Sequence, residues 1–170
     1  MKYRQQFDSS DCGAACLAMI ASYFGMSLNI AKTRLYACTD TSGTNFKGLI
    51  TAAKIYNLKV RVVKGNISSI TNKLYTPFIA HLNIVREDNN WVNHYVIVKK
   101  ITKRYIEIWD PDPLYKKQKI TYEKFFEFWT GYAIFLEPDV GFKKDNKKLN
   151  LLFKFIPVFN PHKKSLFFHF

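Results

Sequence analysis

The sequence has few cysteines and no long apolar segment. Its three cysteines, Cys12, Cys16 and Cys38, are an odd number without framework spacing, which argues against a disulfide-stapled secreted domain and favours a reducing compartment. The longest uncharged apolar run, residues 12–24, is shorter than the ~20 residues needed to span a bilayer. No apolar signal-peptide stretch follows the polar start of the chain. The sequence therefore predicts a soluble, cytosolic domain.

Acidic residues are also scarce, since 13 of them stand against 26 lysines and arginines and give a formal net charge of +13. This balance favours an anionic partner, which could be a nucleic acid, an anionic membrane surface or an acidic peptide. The sequence contains no internal repeat and no glycine-rich phosphate loop. A nucleic-acid-binding module stays open as an alternative, although the positive charge is spread thinly and no known basic-aromatic recognition motif occurs.

The spacing of apolar residues predicts helices first and strands afterwards. Helices are expected over residues 12–24, 30–37, 45–56, 67–74 and 122–129. Strands are expected over residues 58–63, 78–85, 91–100, 105–110 and 132–137. Ser10 or Asp11 is expected to cap the first helix. This order, in a chain of 170 residues, predicts one α+β domain with helices packed on a mostly antiparallel sheet.

Cys12 is the candidate nucleophile because it lies at the predicted start of a buried helix. The unpaired N–H groups at such a position stabilise a thiolate, which is the reactive form of cysteine. Gly13 is expected to leave space for a substrate backbone, and Gln6 could donate an N–H to an oxyanion beside Cys12. Cys16, one helical turn further in, is expected to be a buried packing residue. A purely structural role for Cys12 remains open on this segment alone.

A cysteine nucleophile needs a base, and the chain offers four histidines: His81, His94, His162 and His169. His94 begins an apolar strand that could hold an imidazole rigidly. If residues 91–100 and 105–110 form a hairpin that reverses near Thr102, His94 falls opposite Asp110, give or take one residue. Asp110 could then orient the base through its second ring nitrogen. A structural histidine and a turn-forming aspartate are the alternatives for these two residues.

Metal binding is the competing use of these residue types. Cys12, Cys16 and Cys38 could be combined with a histidine around zinc. However, the sequence has neither a C-x-x-C pair nor an H-x-x-x-H pair, so the zinc signal is weak.

Four motifs follow one another along residues 1–138. They are QxxxxDCGxACLAM at 6–19, NHYVIV at 93–98, WDP at 109–111 and FWTGYAIFLEP at 128–138. Their content and order resemble the N-terminal peptidase domain of bacteriocin-exporting ABC transporters. The members of this family are papain-like cysteine peptidases that remove double-glycine leader peptides.

The resemblance implies a papain-like fold in which Cys12 is the nucleophile, His94 the base and Asp110 its orienting group. Gln6 and the N–H of Cys12 would form the oxyanion hole. It implies a peptidase domain over residues 1–141, followed by a basic-aromatic linker over 142–170 that leads toward a transmembrane domain.

The partners implied are a precursor peptide with a double-glycine leader and the transmembrane and ATP-binding domains of the same transporter, at the cytoplasmic face of a bacterial membrane. The resemblance implies no nucleic-acid partner. No cofactor is expected in this chain, and ATP is expected only at the nucleotide-binding domain. A docking domain that binds the leader without cleaving it stays open as the alternative.

Overall fold

The computed structural model describes residues 1–70, 74–85 and 91–145. Its helices are α1 (Cys12–Tyr23), α2 (Ile30–Tyr36), α3 (Phe46–Ile55) and α4 (Tyr122–Phe128). Its strands are β1 (Leu58–Lys64), β2 (Phe78–Val85), β3 (Trp91–Ile101), β4 (Ile106–Trp109), β5 (Lys117–Ile120) and β6 (Trp129–Pro138). Within those ranges, no helix combines the length and the apolar character required to cross a bilayer.

The six strands form one sheet in the order β1-β6-β2-β3-β4-β5, and all of the paired neighbours are antiparallel. The predicted α+β class is confirmed. The helix predicted over 67–74 is wrong, because only the 3-10 turn Ile67–Ser69 forms in its described part. Strand β5 was not predicted, since its sequence KQKI lacks the apolar alternation that indicates a strand.

Helix α1 is the centre of the larger core. Its small residues Ala14, Ala15, Ala18 and Ala21 are fully or almost fully buried, which lets the helix pack closely between β3 and helices α2 and α3. A second core, built around Phe78 and the other apolar residues of the opposite sheet face, packs against α4. Burial on all sides fixes the position of α1 and therefore of the residue at its N-terminus.

Residues 142–145, which were predicted to begin the linker, pack against the C-terminal end of α1. The ring of Phe142 contacts that of Phe24 in a T-shaped arrangement with centroids 6.3 Å apart. The backbone N–H of Asp145 donates to the carbonyl of Gly25 at 3.0 Å, and its carboxylate accepts from the N–H of Ser27 at 2.6 Å. The rest of the predicted linker, residues 146–170, lies outside the described residues.

Candidate active site

Cys12 is the first residue of α1 and is only 3% exposed. It borders a cleft, and the N–H groups of the first helical turn lie on its side of the helix. Gly13 was expected to leave space for a substrate backbone, but the side chains of Thr44 and Tyr95 fill the space beside it. A Cβ atom at this position would lie 3.0 Å from the Cβ of Thr44, so any larger residue would have to push the Thr44 side chain aside.

The loop before Cys12 is held by a buried carboxylate. Asp11 occupies the N-cap position of α1, but its side chain does not cap the helix, so the predicted capping role is wrong. The carboxylate instead pairs with Arg34 of α2 and accepts from the N–H of Phe7 at 3.3 Å. Arg34 also donates to the hydroxyl of Ser10 at 3.2 Å. Helix α2 thereby fixes the segment between Gln6 and Cys12, a contact that the sequence pattern did not reveal.

His94 and Asp110 are in direct contact. Nε2 of His94 donates to Oδ1 of Asp110 at 2.8 Å, and both residues are 6% exposed. The same carboxylate oxygen accepts the N–H of Asp112 at 2.8 Å, which holds the acid in place. The structure therefore brings together the two residues that the hairpin argument paired.

The predicted hairpin register is nevertheless wrong by two residues. Ile97 pairs with Trp109 and Val98 with Ile108, so Asp110 lies level with Val96 rather than with His94. The reversal spans residues 102–105 instead of centring on Thr102, and the register shifts again between Val98 and Lys100. A shift of two residues preserves the face of the sheet, and diagonal neighbours on one face remain within reach. The contact therefore forms despite the wrong register.

Two neighbours keep the imidazole of His94 protonated. Burial alone would lower its pKa, but the hydrogen bond to Asp110 and the adjacent Cys12 outweigh burial and raise the pKa of His94 to about 10. Because Nε2 donates to Asp110, Nδ1 is the nitrogen that remains for the thiol. Cys12, His94 and Asp110 thus form one connected unit.

Cys16 has a different environment from Cys12. It is fully buried, and its thiol donates to the carbonyl of Tyr95 at 3.3 Å. Burial, followed by the nearby Cys12 and Asp110, raises the pKa of the Cys16 thiol well above its usual value. Cys16 is therefore a buried packing residue, as predicted from the sequence.

Gln6 lies next to the acid of the candidate site. Its backbone N–H donates to the carbonyl of Pro111 at 2.9 Å, one residue after Asp110. Its side-chain oxygen is buried and has no hydrogen-bond partner among the described residues. The side-chain oxygen of Gln6 therefore makes no structural hydrogen bond within the described residues. The role of Gln6 in an oxyanion hole stays a prediction.

A cleft of about 580 Å³ opens beside Cys12. One wall comes from the segment between α2 and α3, with Asp40, Gly43 and Thr44 among its residues. The other wall comes from β2 and β3 and includes His81 and Tyr95. An elongated substrate could lie between these walls with its backbone next to the thiol. No spacing rule singled out His81, because the residues that contact its ring, such as Phe46 and Thr130, are distant in the chain.

Among the described residues, no further candidate from the sequence lines this cleft. Cys38 is an exposed free thiol, and His162 and His169 lie outside the described residues. Over residues 1–70, 74–85 and 91–145, no three His, Cys, Asp or Glu side chains converge in a way that could hold a metal ion. The arrangement of Cys12, His94 and Asp110 is instead suited to nucleophilic attack on a carbonyl group.

Comparison with known proteins also indicates a peptidase. Residues 1–141 match the family model described as the peptidase C39 family. The pediocin PA-1 transport/processing ATP-binding protein PedD of Pediococcus acidilactici is 34% identical over 165 residues. The aligned residues are 96% of this chain and 22% of that protein. The chain thus spans about a fifth of the length of this curated relative.

Two solved structures share the fold. One is the peptidase domain of Streptococcus ComA, a bi-functional ABC transporter involved in a quorum-sensing pathway; it has a TM-score of 0.73 and 35% identity, over 81% of this chain and 100% of that one. The other is a double-glycine-motif protease from an AMS/PCAT transporter in complex with the leader peptide, with a TM-score of 0.70 and 26% identity, over 81% of this chain and 91% of that one. These similarities confirm the predicted peptidase fold.

Proposed function

Because this chain belongs to the peptidase C39 family, a family of cysteine peptidases, we propose that it cleaves a leader peptide after a Gly-Gly motif. Cys12 is the nucleophile, His94 the base and Asp110 the group that orients the base. The observation that carries this assignment is the 2.8 Å bond between His94 and Asp110, formed beside a cysteine at the start of a buried helix.

The reaction is acyl transfer through the thiol. His94 holds the proton that the Cys12 thiol gives up, and the sulfur attacks the carbonyl carbon of the second glycine as a thiolate. Gln6 and the N–H of Cys12 stabilise the oxyanion of the tetrahedral intermediate. His94 then gives its proton to the leaving amine as the peptide bond breaks. Water, activated by His94, hydrolyses the thioester and restores the thiol. The mechanism requires no metal or organic cofactor.

The raised pKa of His94 supports this assignment of roles. A ring whose pKa is about 10 holds a proton at neutral pH, which is the form that can protonate a leaving amine. Asp110 contributes the largest part of that increase and stabilises the imidazolium without exchanging protons with the substrate. Buried, hydrogen-bonded partners also keep the ring in one orientation.

The substrate proposed is the precursor of a bacteriocin or a similar secreted peptide. Glycines at the cut suit a cleft whose walls, including Thr44 and Tyr95, stand close to the N-terminus of α1. Support comes from the relatives, one of which is a bacteriocin transport/processing protein and another a double-glycine-motif protease bound to a leader peptide. We further propose that the domain works as part of an ABC transporter at the cytoplasmic face of the membrane, where cleavage is coupled to export.

A synthetic precursor with a Gly-Gly leader tests the proposed function directly. Wild-type protein should cut it after the second glycine, as measured by mass spectrometry, and should leave an Ala-Ala control uncut. Cys12→Ala should bind the leader without cutting it, whereas Cys16→Ala should retain cleavage and lose stability through lost packing. Wild-type binding without cleavage would instead support a docking domain.

A further inference from the structure

The hairpin between β3 and β4 ends in a basic turn that has no part in the proposed mechanism. Lys103 and Arg104 are exposed at the tip of this turn. The hydroxyl of Thr102 donates to the carbonyl of Tyr105 at 2.8 Å and accepts the N–H groups of Arg104 and Tyr105 at 3.3 and 3.0 Å. The two cations are therefore presented on a turn whose backbone is fixed by hydrogen bonds.

The basic turn lies at the end of α1 that is remote from Cys12. Lys99, on β3 close to the turn, places its ammonium group 5.4 Å from the ring centroid of Tyr23, the last residue of α1. An α-helix rises about 1.5 Å per residue, so Cys12 and Tyr23 are separated by roughly 17 Å along the axis. The turn and the candidate nucleophile therefore lie at different ends of the domain.

Two further lysines extend the positive surface around this turn. Lys119 of β5 lies 5.0 Å from the ring centroid of Tyr105. The side chain of Lys144 lies beside Gly25, two residues after the end of α1. We call this surface the basic end, and it consists of Lys99, Lys103, Arg104, Lys119 and Lys144 with the rings of Tyr23 and Tyr105.

The carboxylates beside the basic end are engaged elsewhere. Glu107 accepts the indole N–H of Trp109 at 3.0 Å, and Asp145 accepts the N–H of Ser27 at 2.6 Å. Within the part of the chain that the structure describes, neither carboxylate forms an ion pair with a residue of the basic end. The basic end is thus a positively charged surface with tyrosine rings next to its lysines.

The chain continues from the basic end into a segment of similar composition. Asp145 is bonded to Gly25 and Ser27, which follow α1. Residues 146–170 contain lysines and phenylalanines but neither aspartate nor glutamate. Lysines combined with aromatic residues are typical of surfaces that bind anionic lipid, because the headgroups attract the cations and the bilayer interface accommodates the rings.

We propose that the basic end binds the anionic surface of a lipid bilayer and leaves the cleft beside Cys12, at the other end of α1, open to substrate. This inference goes beyond the association with a transporter, because it assigns a direct contact between this domain and lipid, and it does not depend on cleavage. The tyrosine rings and the basic, phenylalanine-rich continuation favour a bilayer over an acidic peptide, which charge alone would attract.

Sedimentation of the full chain with lipid vesicles tests this proposal. Wild-type protein should bind vesicles made of equal parts of phosphatidylglycerol and phosphatidylcholine far better than vesicles of phosphatidylcholine alone, and added salt should weaken the binding. The triple variant Lys99→Gln, Lys103→Gln and Arg104→Gln should lower the partition coefficient by about 10- to 100-fold, because each basic residue near an anionic surface strengthens binding by about fivefold.

A second triple variant, Lys47→Gln, Lys54→Gln and Lys59→Gln, is the matched control. It removes the same charge from exposed positions on α3 and β1, away from the basic end. Its partition coefficient should stay within about threefold of the wild-type value, because charges far from the membrane are screened. Both triple variants should cut the precursor as the wild type does when vesicles are absent, and thermal melting verifies that both are folded.

Four outcomes would overturn the inference. Absence of wild-type binding to the anionic vesicles would exclude a lipid contact, and equal losses in the two triple variants would mean that the overall charge attracts the vesicles. A higher KM for the precursor in the first triple variant, without weaker vesicle binding, would assign the basic end to an acidic leader. Protection of Cys12 from iodoacetamide by the vesicles would place the lipid over the cleft. Failure of wild-type protein to cut the precursor would remove the proposed function and leave the vesicle result unchanged.

Discussion

Arg34 of α2 forms an ion pair with Asp11, the residue that immediately precedes Cys12. The Asp11 side chain is 1% exposed, whereas that of Arg34 is 30% exposed. Removal of the arginine would leave a buried carboxylate without its cation, which is far more costly than the loss of a surface ion pair. Arg34→Met should therefore lower the free energy of unfolding by roughly 2–4 kcal/mol.

Chemical denaturation measures this loss, and Lys32→Met on the same helix is the matched control. Lys32 lies over the ring of Tyr36 and makes no ion pair with a described carboxylate, so its replacement should cost less than about 1 kcal/mol. Arg34→Met should also lower kcat, because the segment between Gln6 and Cys12 loses its anchor to α2. Equal stability of the two variants would contradict the role assigned to this pair.

The raised pKa of His94 predicts how stability depends on pH. Below pH 6.5 the ring is protonated in both the folded and the unfolded chain, so its contribution is complete. Between pH 6.5 and about 10 only the folded chain keeps the proton, and the contribution declines as the pH rises. Above that range the contribution is lost.

The free energy of unfolding of wild-type protein should consequently fall more steeply between pH 6.5 and 10 than that of Asp110→Asn. In this variant the hydrogen bond that contributes most to the increase is weakened, so the pKa of His94 moves back toward its usual value. Titration of the imidazole by NMR measures the pKa of His94 in each variant directly. Parallel stability curves would show that Asp110 does not hold the proton on His94.

The local pattern of the sequence was sufficient for much of the fold. Helix α1 was expected to begin at Cys12 and does, because an Ala-rich apolar run has few other ways to bury itself. Strand β5 was missed since its lysines face solvent and its pairing with β4 depends on tertiary context. The 67–74 helix failed because Asn66, Ser68 and Ser69 bond to one another and stabilise a short 3-10 turn.

The candidate site was predictable where its residues are adjacent in the chain or in a hairpin. Asp110 could be placed near His94 because a hairpin fixes which residues approach each other, even when the register is two residues off. The Asp11–Arg34 pair and the His81–Thr130 pair connect separate elements, and no spacing rule in a single sequence predicts them. Tertiary packing alone brings these residues together.

The packing of residues 142–145 predicts how the domain responds to shortening. A chain that ends at Asp145 should melt cooperatively, since Phe142 and Asp145 remain in contact with Phe24, Gly25 and Ser27. A chain that ends at Pro138 loses these contacts and should be less stable by roughly 1–2 kcal/mol. Leader cleavage should persist in both chains at low temperature.

Thermal melting of the two shortened chains checks this expectation. A third chain that ends at Asp145 and carries Phe142→Ala isolates the contribution of the aromatic contact, and it should melt between the other two. Identical melting of the chains ending at Pro138 and Asp145 would show that residues 139–145 add nothing to the stability of the domain.

The bond between His94 and Asp110 predicts that the two residues act as a unit in cleavage. His94→Ala removes the base and should lower kcat by about 10²- to 10⁴-fold. Asp110→Asn keeps the shape and an acceptor oxygen, so it should retain more activity than Asp110→Ala. KM should change less than kcat throughout, because neither residue is proposed to bind the leader. Glu107→Gln, a carboxylate control on β4 that bonds Trp109 rather than His94, should keep nearly full activity.

Since Asp110 acts only through the imidazole, the double variant of His94→Ala and Asp110→Ala should be hardly worse than His94→Ala alone. Fully additive losses of kcat would mean that Asp110 works independently of His94, and the assignment of these three residues as one catalytic unit would be wrong even with Cys12 confirmed as the nucleophile.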